Sequence, residues 1–192
     1  MNNQLLQRGL YLEYVTLGWN IVGTVIVIAA AISAGSVALA GFGIDSLIEI
    51  LASLVVVWEL KGGSPQREKR ALRLIGLAFF ALVVYVLLQS GHTLLTQSHA
   101  QTSVLGIIWL AATLIAMLLL AWGKHRTGTA LNNPVLLTEG RVTLVDAYLA
   151  AAVLVGLVLD SLFGWWWADP LAALVIVYYG LREGWHAWHE AG

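Results

Sequence analysis

Two acidic residues stand one helical turn apart in a stretch that is otherwise almost entirely apolar. The stretch reads GFGIDSLIEILASLVVVWEL, residues 41–60, and the acids are Asp45 and Glu49. Side chains four residues apart lie on the same face of a helix, so the two carboxylates would be neighbours that repel each other. Carboxylate oxygens are also good ligands for divalent cations. The spacing therefore predicts a buried site for a metal ion.

The composition indicates an integral membrane protein. Of the 192 residues, 59% are hydrophobic and 11% are charged, and the mean hydropathy is +0.81. A soluble domain carries about 25% charged residues, so this chain lacks the charge to coat a surface in water. The net charge of −1 makes nucleic acid an unsuitable partner. Without cysteine there are neither disulfides nor thiolate ligands.

Six stretches are apolar over about the 20 residues that a helix needs to cross a membrane. They cover residues 13–34, 37–59, 71–95, 103–122, 138–162 and 166–187. Residues 61–70 and 123–134 are predicted to be basic loops. We therefore predict an all-α polytopic protein, with residues 1–192 as a single transmembrane domain and no soluble domain after the sixth span.

The basic residues predict the orientation. They fall mainly at the connections between spans 2 and 3 and between spans 4 and 5: Lys61, Arg67, Lys69, Arg70, Arg73, Lys124, Arg126 and Arg141. The other three connections contain neither Lys nor Arg. By the positive-inside tendency, both termini are predicted to face the cytoplasm. The membrane is expected to be a bacterial inner membrane or a plasma membrane.

A third acid, Asp146, is predicted to lie at the depth of the first two. At ~1.5 Å per residue, Asp45 lies ~13 Å below the outer end of span 2, and Glu49 lies ~6 Å deeper. Asp146 lies ~12 Å above the inner end of span 5. All three then fall near the midplane of a core ~30 Å thick. Seven other acids are predicted to be solvated at the membrane surfaces: Glu13, Glu59, Glu68, Glu183, Glu190, Asp160 and Asp169.

Burying three acids is costly, and the cost points to their chemistry. At roughly 2.5–3.5 kcal/mol each, they would cost on the order of 8–10 kcal/mol before repulsion. A divalent cation or bound protons would relieve that cost, so the site can exchange a metal ion for protons. The alternative is that the acids are permanently protonated or bonded to polar neighbours such as Asn20, Ser46 or Thr143.

Three further residues are secondary candidates. Glu139 lies two turns before Asp146 and either lines a cytoplasmic opening or is an ordinary acid at a helix start. Thr143 either supplies a ligand oxygen or bonds back to its own helix. Asn20 of span 1 is a candidate to support the metal ligands.

These motifs resemble the cation diffusion facilitator family of six-helix divalent-metal transporters. SVALAGFGIDSLIEILAS (36–53) is similar to that family's second helix, and Asp45 and Glu49 fall on its two metal-ligand positions. WADPLAALVIVYYGLREGW (167–185) is similar to the sixth helix. In RVTLVDAYLAA (141–151), Asp146 takes the second ligand position of the fifth helix.

The chain departs from the family pattern in two ways. Val142 replaces the expected first ligand of the fifth helix, so Glu139, Thr143 or water completes the site, or metal binding is weaker. Only AWHEAG follows span 6, so we expect a short branch of the family without the cytoplasmic domain. Dimerisation would then come from the membrane helices, as a homodimer.

The resemblance implies a secondary transporter that exports a divalent transition metal by proton antiport. Zinc is the first candidate and manganese the second, with cobalt and cadmium after them; no permanently bound cofactor is expected. The alternative is a non-transporting membrane protein that binds metal or a partner subunit. An enzyme is not expected, because the sequence has no His-Glu-x-x-His motif and no phosphate-binding loop.

Overall fold

The computed structural model describes residues 2–60, 65–97 and 99–190, and this part of the chain forms six helices without strands. The helices are α1 (Asn2–Ala34), α2 (Val37–Leu60), α3 (Pro65–Thr96), α4 (Val104–Leu131), α5 (Pro134–Phe163) and α6 (Ala168–Glu190). The predicted all-α membrane fold is confirmed. By length and composition, α1 to α5 each contain a segment able to cross a membrane. Crossing by α6, which carries Arg182 and Glu183 in its second half, remains a prediction.

Local sequence signals end the helices where the chain must reverse. Gly35 has a φ of 64° between α1 and α2, a conformation that glycine adopts without steric cost. Asn132 caps the end of α4 with a φ of 50°. The side chain of Asn133 accepts a hydrogen bond from the backbone amide of Leu136 and so caps the start of α5. Pro134 then occupies the first turn of α5, where its missing amide hydrogen costs nothing.

The prediction of a loop over residues 123–134 is wrong for most of that stretch. Helix α4 continues through Gly123 and Gly128 to Leu131, so it includes Lys124 and Arg126, and Asn132 in a left-handed conformation caps its end. Residues 61–64 of the other predicted loop lie outside the described residues, and residues 65–70 belong to α3. The side chains of Lys61, Arg67, Glu59, Glu68 and Glu190 also lie outside the described part.

Helix α2 lies at the centre of the bundle. It packs against α1, α3, α5 and α6, while α4 packs along α5 and α3 along α6. All six helices contribute to one apolar core, through residues that include Val27, Phe42, Leu82, Leu110, Val153 and Ile176. The central position of α2 places Asp45 and Glu49 inside the bundle.

The distribution of polarity is that of a protein in lipid. Large apolar side chains cover the outside, and Val25, Ile32 and Leu88 are about 70–80% exposed (70%, 78% and 69%). Several charged side chains lie inside, and among them Glu13 and Lys124 are both fully buried. A soluble protein rarely exposes such a continuous apolar surface, so the outer face fits a hydrocarbon environment.

Asp169 does not have the solvated position predicted for it. It is 1% exposed, and its carboxylate accepts hydrogen bonds from the Ser36 hydroxyl and from the amides of Val37 (2.9 Å) and Ala38 (3.4 Å). The first amides of a helix have no intrahelical partner, so an acid from α6 satisfies the start of α2. The contact ties the two helices together at one end of the bundle.

Candidate metal-binding site

Three of the predicted site residues line a single cavity, which we call the carboxylate cavity. Asp45 and Glu49 of α2 and Asp146 of α5 face it, together with residues of α3 and α6. Its volume is ≈ 20 Å³. About 10–15 Å³ is enough to hold one water molecule, so the cavity has room for one small ion or water.

The three carboxylates are buried and are poorly provided with partners. Asp45, Glu49 and Asp146 are 6%, 4% and 3% exposed. Asn20 of α1 donates a hydrogen bond from Nδ2 to Oε2 of Glu49 at 2.9 Å. Oε1 of Glu49 and both carboxylate oxygens of Asp146 have no hydrogen-bond partner among the described residues. Buried oxygens without a donor are costly for the fold and suit a cation.

Among the residues that the structure describes, none in the wall of the carboxylate cavity carries a positive charge. Its described lining consists of acidic, apolar, glycine and tyrosine residues: Asp45, Glu49, Phe79, Val142, Val145, Asp146, Leu149, Tyr179, Gly180 and Glu183. Within residues 2–60, 65–97 and 99–190, no group of three or more His, Cys, Asp or Glu side chains is arranged as a ready metal cluster. The acids therefore share one cavity, and binding one ion to all three requires their side chains to move closer.

Two other residues define the walls of the carboxylate cavity. Val142 presents an apolar side chain one turn before Asp146, so α5 supplies one ligand-bearing side chain here. Glu183, predicted to be solvated at the membrane surface, lines the cavity from α6 and has a side chain only 14% exposed. The predicted solvated position of Glu183 is therefore wrong, because the second half of α6 packs against the bundle.

The secondary candidates Glu139 and Thr143 belong to a different group of residues, which we call the Lys124 cluster. The ammonium of Lys124 donates to Oε2 of Glu13 (3.1 Å), Oε1 of Glu139 (3.3 Å) and Oγ1 of Thr143 (3.0 Å). All four residues are buried. The predicted solvated position of Glu13 is thus wrong, because a lysine on a neighbouring helix compensates its burial.

Sequence reasoning missed the Lys124 cluster, although one spacing hinted at it. Glu13 lies seven residues before Asn20 on α1, just as Glu139 lies seven residues before Asp146 on α5. Seven residues are nearly two helical turns, so each pair shares a helix face. This shared spacing could have predicted that the polar faces of α1 and α5 continue beyond the midplane.

Comparison with known proteins gives a consistent picture. The model of the cation efflux transmembrane domain matches residues 73–191. Over 94 residues, 49% of this chain and 31% of the relative, the sequence is 34% identical to the cation-efflux pump FieF of Shewanella oneidensis. Over 167 residues, 81% of this chain and 54% of the relative, it is 25% identical to an uncharacterized transporter of Synechocystis. The matches thus cover about half or less of these relatives' lengths.

Proposed function

Because the chain belongs to the cation efflux family, we propose that it exports a divalent transition-metal cation through the carboxylate cavity. Asp45, Glu49 and Asp146 are the proposed ligands, and Asn20 orients Glu49 through its hydrogen bond. The observation that carries the proposal is that both oxygens of Asp146 lie in a buried acidic cavity and have no hydrogen-bond donor assigned among the described residues.

Proton antiport follows from the chemistry of these ligands. Carboxylates bind a metal ion in their ionised form, so metal binding releases protons. When the ion leaves, three ionised acids in an apolar bundle would repel one another, and rebinding protons relieves the repulsion. Rocking of the helices around the cavity would expose it first to the cytoplasm and then to the outside. The proposed orientation has both termini in the cytoplasm, in a bacterial inner membrane or a plasma membrane.

The identity of the metal depends on two opposing arguments. Family resemblance favours zinc, whereas a site of carboxylates without imidazole suits harder ions such as Mn²⁺. Val142 leaves the cavity without the extra ligand that would favour zinc. On the family resemblance we propose zinc as the first candidate substrate, and on the chemistry of the ligands manganese as the second, carried by a homodimer assembled through membrane helices.

A second candidate is a membrane protein that binds metal or a partner subunit without transporting an ion. Two observations favour this candidate. No group of three or more His, Cys, Asp or Glu side chains among the described residues is arranged to hold a metal ion, and Val142 is apolar. Such a protein would show no metal flux across a membrane and no accompanying movement of protons.

Transport into proteoliposomes tests the proposal and separates the two candidates. Vesicles loaded with a metal-sensitive dye and a pH-sensitive dye would receive external Zn²⁺ or Mn²⁺. We expect metal uptake with proton movement for the wild type and loss of both for Asp146→Asn. Asp160→Asn is the matched control, because Asp160 lies on the same helix and is not part of the described lining. Equal flux in wild type and Asp146→Asn would overturn the role of the cavity, and no flux in the wild type would favour the second candidate.

A further inference from the structure

The Lys124 cluster is built like an occupied cation site. Glu13 comes from α1, Lys124 from α4, and Glu139 and Thr143 from α5. The lysine ammonium has three hydrogens, and each has an oxygen partner at 3.0–3.3 Å. Three oxygens from two helices thus surround one positive charge that arrives from a third helix.

The acids of the Lys124 cluster exceed its positive charge. Two carboxylates, 0% and 4% exposed, face one ammonium that is 0% exposed. The second oxygen of Glu13, Oε1, is buried without a hydrogen-bond partner among the described residues. Oε1 of Glu139 also accepts a hydrogen bond from the Ser53 hydroxyl of α2 at 3.2 Å. Without the lysine, these oxygens would therefore form a buried pocket with two carboxyl groups and no countercharge from Lys124.

We propose that Glu13, Glu139 and Thr143 form a second cation site, which the chain fills with its own Lys124 ammonium. The site takes a small cation that hydrogen-bonds to oxygen, and an alkylammonium ion is the nearest chemical equivalent of the lysine head group. The proposal does not rest on transport, because it concerns a different group of oxygens from the carboxylate cavity.

The position of this second site gives the tethered cation a role. Glu139 and Thr143 lie on α5 seven and three residues before Asp146, and Ser53 lies one turn after Glu49 on α2. The two acidic groups therefore occupy neighbouring levels of the same helices. A lysine fixed at one level leaves the carboxylate cavity as the place for an exchangeable ion, because the second set of acids already holds a tethered cation.

Chemical rescue of a lysine-free variant tests the second site. Lys124→Ala removes the ammonium and leaves space for methylammonium, and thermal unfolding of the detergent-purified protein is the readout. We expect methylammonium to raise the melting temperature of this variant by about 2–4 °C. Tetramethylammonium, which has no N–H donor, should give no shift at equal ionic strength. The shift should disappear in Lys124→Ala/Glu13→Gln/Glu139→Gln.

Two controls keep the outcome decisive. Arg126→Ala, on the exposed side of the same helix, should not respond to methylammonium. If Lys124→Ala does not fold, Lys124→Ala/Glu13→Gln retains one acid beside Thr143 and should still respond, whereas the variant without either acid should not. Equal shifts with and without the acids, or no shift in any lysine-free variant, would overturn the proposal.

Discussion

The carboxylate cavity and the Lys124 cluster bury the same chemical group and treat it differently. In the cluster, Glu13 and Glu139 share a lysine ammonium at 3.1 and 3.3 Å. In the cavity, Asp146 has no hydrogen-bond partner among the described residues, and Glu49 has only an amide donor on one oxygen. One set of acids carries its own countercharge, and the other set is left to obtain one from outside.

We propose that this difference separates a structural role from a transport role. A buried acid paired with a lysine is compensated in every state of the protein and loses stability when its partner is removed. A buried acid without a partner is compensated only by protons or by a bound cation. On this basis, substitutions in the Lys124 cluster should act mainly on stability, and substitutions in the carboxylate cavity mainly on metal binding.

The largest effect is expected from removing the lysine charge. Lys124→Met keeps a side chain of similar length but leaves Glu13 and Glu139 buried without their countercharge, so we expect a loss of about 3–5 kcal/mol in the free energy of unfolding. Chemical unfolding in detergent measures this loss. Arg126→Met on the exposed side of α4 is the matched control, and equal stability of the two variants would remove the contrast between the regions.

A smaller effect, on affinity, is expected in the carboxylate cavity. Asp45→Asn removes one of the three proposed carboxylate ligands, so we expect at least a tenfold loss in the affinity for divalent cations, about 1.4 kcal/mol. Isothermal titration with a panel of divalent ions measures the change, with Asp160→Asn as the control. Unchanged affinity in Asp45→Asn would exclude Asp45 as a ligand.

The smallest effect is expected from adding the ligand that the cavity lacks. Val142→His places an imidazole one turn before Asp146, and imidazole favours zinc over manganese. We expect the ratio of zinc affinity to manganese affinity to rise by about fivefold, ~1 kcal/mol. Competition titrations of the two metals provide the measurement, with Val145→His as a variant elsewhere on the same wall. An unchanged ratio would indicate that position 142 does not reach the ion.

The sequence predicted the burial of Asp45, Glu49 and Asp146 because apolar residues surround each of them over a full membrane span. Helical period and membrane thickness were enough to place all three at one depth, and the structure brings them to one cavity. How close their oxygens come depends on side-chain conformations and helix packing, which no local pattern encodes.

Lys124 and Asp169 could not be predicted in the same way. Lys124 stands among polar residues in Gly-Lys-His-Arg, so its surroundings in sequence indicate a loop, while its acid partners lie 111 and 15 residues away. Asp169 satisfies amides at the start of α2, more than 130 residues away. Both side chains are buried because of contacts between helices, and a single sequence gives no direct sign of such contacts.

Diffraction from crystals of the protein soaked with Zn²⁺, collected at the zinc absorption edge, tests the central claim most directly. We predict an anomalous peak in the carboxylate cavity, at about 2.0–2.2 Å from carboxylate oxygens of Asp45, Glu49 and Asp146. The Lys124 cluster, already occupied by its lysine ammonium, should show no peak. An ordered zinc ion bound elsewhere in the protein, with none in the cavity, would contradict the account.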